Sequence, residues 1–267
     1  MTFHRKLVAS AALLCCSAVF AGPVLIINGA SGTSETGTTT LITNNLKTLH
    51  EAAGNTVTIA DDIPLDLSLY SQVWDIRFDN SFALTTSQQA EYLSFLQGGG
   101  GMFLMGENSS FMARNTSIFD FVSLLGGGSL GPDLIGGCDG TQTVNAPFTG
   151  AAPVTSINFN CSGVIASNGT GEWITERESG GGSGVAWGVG SLANATAGAL
   201  TMVLDVNFMQ GVGSEAEQNL TKNLIGYVGD QVDPPSNDVP EPGSFGLAGL
   251  ALLGLAFSSR ARKPRAG

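Results

Sequence analysis

The chain has 267 residues, 43% of them hydrophobic, and a formal net charge of −11 from 22 acidic and 11 basic side chains. Six of the basic residues (Arg5, Lys6, Arg260, Arg262, Lys263 and Arg265) lie in the two ends. Only Lys47, Arg77, Arg114, Arg177 and Lys222 remain between them, against 21 of the 22 acidic residues (Glu241 lies in the C-terminal end), a balance of −16 that repels phosphate backbones and disfavours nucleic-acid binding.

Residues 1–21 read as a secretory signal peptide. His4, Arg5 and Lys6 form a positive start, Leu7 to Phe20 an apolar run, and Val19-Phe20-Ala21 places a small residue at a cleavage point for signal peptidase. Cys15 and Cys16 suggest a lipoprotein, but Leu14 stands where that motif wants a small residue. A single folded domain is expected over 23–230. Pro23-Val-Leu-Ile-Ile-Asn28 is a short, β-branched apolar run, as in a strand buried on both faces of a parallel sheet. The Gly/Ser/Thr loop 29–37 follows. It lacks a dinucleotide-binding glycine pattern and has no basic neighbour, so it reads as an ordinary loop rather than an anion cradle.

The next expected elements are a helix over 38–53, with Leu41, Ile42, Leu46 and Leu49 inward and Gly54 as its stop, and strands over 56–60 and 72–78. A helix capped by Thr85 or Thr86 runs to Gln97 with Tyr92, Leu93 and Leu96 inward. A strand over 102–105, a sharp turn at Gly106-Glu107-Asn108 and a helix to about Leu125 complete an alternating pattern, which predicts an α/β three-layer sandwich on a mainly parallel sheet. Helical periodicity then disappears. Short candidate strands at 141–145, 156–159, 164–167 and 172–176 predict a β-rich antiparallel excursion over about 126–184. Strands at 185–189 and 200–205 return to the sheet, and a helix over 215–227 closes the domain. Cys138 and Cys161 survive processing. In an oxidising compartment a disulfide is the default, closing a loop of 24 residues and contributing roughly 3 kcal/mol, with a metal pair or free thiols as the alternatives. Only His50 remains among the histidines, which leaves a zinc site short of ligands.

Residues 231–238 read as a linker, and 239–265 as a unit in three parts. Pro240-Glu241-Pro242 is stiff and extended, because each proline fixes its own φ and biases the residue before it away from helix. Phe245 to Phe257 is uncharged and apolar, roughly 20 Å long as a helix and short against a hydrocarbon core of about 30 Å. Arg260, Arg262, Lys263 and Arg265 form a basic end that keeps to the cytoplasmic side. In order and spacing these parts resemble the PEP-CTERM sorting signal of Gram-negative bacteria. The resemblance implies transient membrane anchoring through a short transmembrane helix, recognition by an exosortase, and delivery to the cell surface or extracellular polysaccharide matrix. The alternative is a plain C-terminal membrane helix.

The strand-turn-helix at Phe103-Leu-Met-Gly-Glu-Asn-Ser-Ser110, with the strand order around it and Leu204-Asp-Val-Asn-Phe208 before the last helix, resembles class I glutamine amidotransferase-like (flavodoxin-like) domains. That chemistry needs a cysteine at the turn and a histidine after a later strand. Here the turn carries Glu107, and His50 lies in the first helix, so the resemblance implies the fold without the catalysis. Three functions follow: a non-catalytic matrix protein, a polysaccharide hydrolase using a carboxylate pair that includes Glu107, or a ligand- or cation-binding module. Ligands of open α/β sheets bind beyond the carboxyl ends of the strands. The polar residues expected there are Asn28, Asp61, Asp62, Asp79, Glu107, Asn108, Asp205 and Asn207, hard oxygen ligands of the kind that suit calcium or magnesium. No other cofactor is expected.

Overall fold

A computed structural model describes residues 22–131 and 140–232. The chain divides into a unit Met1–Asp233 and a unit Pro234–Gly267; the signal peptide, Cys138, residues 233–238 of the expected linker and the whole sorting signal lie outside the described residues, while Gln231 belongs to the closing helix and not to the linker.

Nine strands form one mixed sheet. In chain order they are β1 (Pro23–Ile27), β2 (Thr56–Ala60), β3 (Gln72–Asp75), β4 (Gly101–Gly106), β5 (Thr141–Val144), β6 (Ser156–Asn158), β7 (Glu172–Glu176), β8 (Gly184–Trp187) and β9 (Ala199–Leu204). The sheet order is β2-β1-β3-β4-β9-β8-β7-β5-β6. The first five in that row run parallel, in the doubly wound arrangement that places the first strand inside the second. The remaining four pair antiparallel from β9 outward.

Four helices cover the sheet: α1 (Thr36–Ala52), α2 (Thr86–Gln97), α3 (Met112–Leu124) and α4 (Glu215–Gln231). Side chains alternate across the pleat, so each central strand feeds two cores. Val24 and Ile26 of β1, Trp74 of β3 and Phe103 and Met105 of β4 meet Ile42 and Leu46 of α1 and Leu220, Leu224 and Val228 of α4. Leu25, Ile27, Val73, Met102 and Leu104 face the other way, onto Tyr92 and Leu96 of α2 and Ile118, Phe121 and Val122 of α3. Helices therefore lie on both faces of the sheet, as the alternating pattern predicts, but the sheet is mixed rather than mainly parallel, because four of its eight strand pairings are antiparallel. Helix starts follow local chemistry. Thr85 with Gln88, and Ser214 with Glu217, each make a reciprocal capping box. Gly54 ends α1 at φ +90°, where an L side chain would be strained.

Several expectations need correction. Leu41 is 40% exposed because α1 turns it off the core stripe, and Phe95 joins Tyr92 and Leu96 in the core, with Leu93 packed against it half-buried. β3 ends at Asp75; residues 76–78 leave the ladder after one further bond, Ile76 N–H to Ile27 O. Residues 164–167 form no strand, only an isolated bridge from Ile165 to Gly182. The antiparallel segment expected over 126–184 is present and continues the same sheet. It extends the parallel sheet, because β8 pairs with β9 and β7 with β8. It is fastened inside by a buried polar network in which Ser183 Oγ donates to Gly163 O at 2.6 Å and Gln142 Nε2 donates to Ser183 Oγ at 2.6 Å. Cys161 beside that network is disulfide-bonded and holds φ +64°. No described helix is long and apolar enough to cross a membrane, and the apolar stretch 245–257 is outside the described residues.

Candidate functional site

The five parallel strands end on one edge of the sheet, and the polar residues expected there separate into three groups. The first belongs to the β1–α1 loop. Ser31 bonds Asp61 through both its N–H and its hydroxyl, and Ser34 Oγ donates to Asp79 Oδ2 at 3.0 Å. Asn28 accepts from Ala30 N–H, and its Nδ2 donates to Thr43 Oγ1 at 3.4 Å. Asp79 also caps the 3-10 turn Asn80–Phe82, and the Ser81 N–H holds its carboxyl below the usual carboxylate range. These residues fasten loops; Asp61 is exposed and Asp79 half-buried.

The second group was not expected from the sequence as a cluster. Asp75, with no exposed surface, accepts from Arg77 Nε and Nη2 at 2.9 Å and from the Tyr92 hydroxyl at 2.8 Å. The Nη2 of Arg114, equally buried, lies 3.1 Å from Asp75 Oδ2 off hydrogen-bond angle, while its other nitrogens donate to Met105 O and Phe82 O. Arg77 reaches out to Asp62 at 2.6 Å. Burial alone would raise the Asp75 pKa, but the Arg114 and Arg77 charges outweigh it and hold the carboxyl far below its ordinary value. The signal was available in Gln72-Val-Trp-Asp-Ile-Arg-Phe78. Asp75 and Arg77 stand two apart in a run that is otherwise core, so both point to one face and must be paired there.

The third group is Glu107 and Asp205. Gly106 and Leu204 are partners in the β4–β9 ladder, so the residues immediately after them leave the sheet side by side. Glu107 is 3% exposed and Asp205 0%. Glu107 Oε1 accepts from Asn108 N–H and Oε2 from Val206 N–H, both at 2.9 Å, so its side chain bridges from the end of β4 to the end of β9. Asp205 Oδ1 accepts from Asn207 N–H at 2.8 Å and Phe208 N–H at 3.1 Å. No regular hydrogen bond reaches its Oδ2, and the backbone N–H of Asn160 approaches the carboxyl and favours its charged form. Burial first, then the Asp205 charge, pushes Glu107 up to about 8; burial pushes Asp205 up to about 7. Asn108 caps the 3-10 turn Ser109–Phe111, and Asn207 donates to Asn160 O at 3.4 Å.

Asn115 of α3 supports this group. Its Oδ1 accepts from Glu107 N–H at 3.1 Å, and its Nδ2 donates to Glu107 O at 2.7 Å. It can come so close because Gly106 has no side chain. A Cβ there would stand 2.5 Å from Leu204 Cδ2 and 2.7 Å from Asn115 Oδ1. Gly106→Ala is therefore expected to destabilise the domain by about 1–3 kcal/mol in urea unfolding. A loss under about 0.5 kcal/mol would show that Asn115 is not held by that approach.

The site thus brings together Glu107, Asn108, Asp205 and Asn207, but leaves Asn28, Asp61 and Asp79 in separate loop contacts. Among the described residues no group of three or more His, Cys, Asp or Glu side chains is arranged to hold a metal ion. Glu107 also lacks the strained backbone of a nucleophile elbow, since Cys161 is the one described residue other than glycine with positive φ. His50 is fully buried in α1, edge-on to Trp74 with ring centroids 4.8 Å apart, and burial lowers its pKa to about 3. It stays neutral where it is and faces none of the three groups.

Comparison with known proteins adds two findings. Residues 238–263 match the PEP-CTERM protein-sorting motif, which marks an exported, exosortase-processed protein of the Gram-negative cell surface or extracellular space. A solved structure described as "mmIFT52 N-terminal domain" shares the fold with a TM-score of 0.54 and 11% identity, covering 77% of this chain and 96% of that one. At that identity the likeness is one of fold alone. No curated protein matches the chain. The chain is an α/β domain on a nine-stranded mixed sheet that carries a PEP-CTERM protein-sorting motif at its end.

Proposed function

We propose that this is a non-catalytic protein of the cell surface or extracellular matrix, whose domain associates with extracellular polysaccharide. The sorting motif at 238–263 carries the reading. The site supports it, because the two carboxylates at the strand ends are buried and spend three of their four oxygens on backbone N–H groups. The parallel order β2-β1-β3-β4-β9 fits an amidotransferase-like domain, with Glu107 at the nucleophile position and no imidazole beside it.

One observation favours a second reading. A carboxyl raised to about 8, as Glu107 is, is what a glycosidase general acid requires. Both readings are tested by incubating the purified chain with extracellular polysaccharides and measuring retention in affinity electrophoresis together with release of reducing ends. Retention without turnover is expected. Turnover abolished by Glu107→Gln would replace the first reading with the second, and inertness in both assays would remove the polysaccharide.

A further inference from the structure

Three connections meet at the Glu107–Asp205 pair. The β4–α3 turn contributes Asn108 N–H, the β9–α4 connection contributes Val206, Asn207 and Phe208 N–H, and the segment before Cys161 brings Asn160 alongside. The described charged groups that act on the pair are Glu35 before α1 and Glu217 on α4, both acidic. Arg114 is the basic residue of the adjacent helix α3, and it is turned away onto Asp75, Met105 O and Phe82 O. The α3 side chain that does reach Glu107 is the neutral Asn115. Among the described residues the two carboxylates are thus buried side by side without a cation, and one oxygen, Asp205 Oδ2, has no regular hydrogen bond, with only the Asn160 amide near the carboxyl.

Backbone N–H groups favour ionised carboxylates, and four of them point here. Against that stand the loss of water around both groups and the repulsion of two negative charges in a medium of low dielectric. A single retained proton removes the repulsion while keeping all four N–H bonds, because a protonated carboxyl still has lone pairs to accept with.

We propose that Glu107 and Asp205 hold one proton between them at neutral pH and act as a buckle, whose loss of that proton under alkaline conditions frees the β9–α4 connection from the β4–α3 turn. The pair titrates as a unit. A carboxyl whose folded pKa lies above its unfolded value gives stability that is complete at low pH. That stability declines as pH rises from about 4, where the unfolded chain ionises, to about 8, where the folded pair does. His50, lowered to about 3, and Tyr227, raised to about 12, fall outside the upper part of that window.

The test uses the purified chain and its Asp205→Asn variant. Asparagine keeps an oxygen for Asn207 and Phe208 N–H and puts a neutral amide in place of Oδ2. Between about pH 6 and pH 9 the melting temperature of the wild type is expected to fall by at least about 4 °C more than that of the variant. Over the same range, protection of the Val206 and Asn108 amides in wild-type hydrogen exchange, corrected for intrinsic rates, is expected to drop about tenfold. Parallel melting curves overturn the proposal, as does unchanged wild-type protection, which decides the matter even if the variant fails to fold. Recovery of the wild-type curve at the higher pH on adding calcium or magnesium also overturns it, since the pair would then hold an ion in place of the proton.

Discussion

Replacing Asp75 with Asn is expected to cost the fold about 3–5 kcal/mol and to lower its melting temperature by roughly 6–20 °C. The argument is one of stranded charge. Asp75 is the acidic partner that Arg77 and Arg114 share, and all three have 2% or less of their surface exposed. Asp62 also pairs with Arg77 but is 74% exposed, so water screens much of its contribution. Asparagine keeps an acceptor for the Arg77 nitrogens and removes the charge, leaving the buried Arg114 guanidinium without a carboxylate and Arg77 with only the screened Asp62. Adding Arg114→Met removes one of those cations and fills its space, so the double variant should recover at least about 1 kcal/mol over Asp75→Asn alone. The effect has a pH signature. Because the folded pKa of Asp75 is depressed, its contribution is complete above the unfolded value of 3.8 and is lost only as pH falls through the folded value below it. Wild type and Asp75→Asn should therefore differ fully at neutral pH and converge only in strong acid. A single-variant loss under about 1 kcal/mol at neutral pH would show that water or loop motion solvates the arginines.

The second large effect lies in export. Changing Pro240, Glu241 and Pro242 together to alanine should leave the chain at full length and held in the membrane. The triplet stands two residues before an apolar stretch rich in leucine and alanine. Two prolines keep it extended, where a protease-like enzyme can bind it as a strand. Three alanines allow the helix to run back through the site and remove the one carboxylate in it. The sorting motif covers these positions. Fractionation with intact-mass measurement checks the result: the wild type should be found shortened and outside the membrane, the variant unshortened and within it. Normal processing of the variant would place the recognition elsewhere in 238–263.

The two variants probe information stored in different ways. The tail is read residue by residue, in order, so its three parts were legible without any fold. The strands and helices of 23–125 were legible because their periodicity is local: β1 is apolar on both faces, α2 carries its capping box, and α1 meets Gly54. The antiparallel half was less so. Strands of three to five residues such as β5, β6 and β7 carry little periodic signal, and their place in the sheet depends on β8 pairing with β9 rather than on their own composition.

The sequence by itself determined which polar residues stand at the strand ends, because a residue that ends a buried strand must meet a loop. It therefore placed Glu107 and Asp205 among the candidates together with Asn28, Asp61 and Asp79. Only the tertiary structure decided their company. The β4–β9 ladder sets Glu107 beside Asp205, 98 positions further along the chain, while α3 turns Arg114 away to Asp75. Whether a carboxylate is neutralised by a cation, by a proton or by water depends on which helix packs over it and how that helix is rotated. That rotation is set by apolar packing across the sheet, by residues such as Ile118, Phe121 and Val122 that carry no charge.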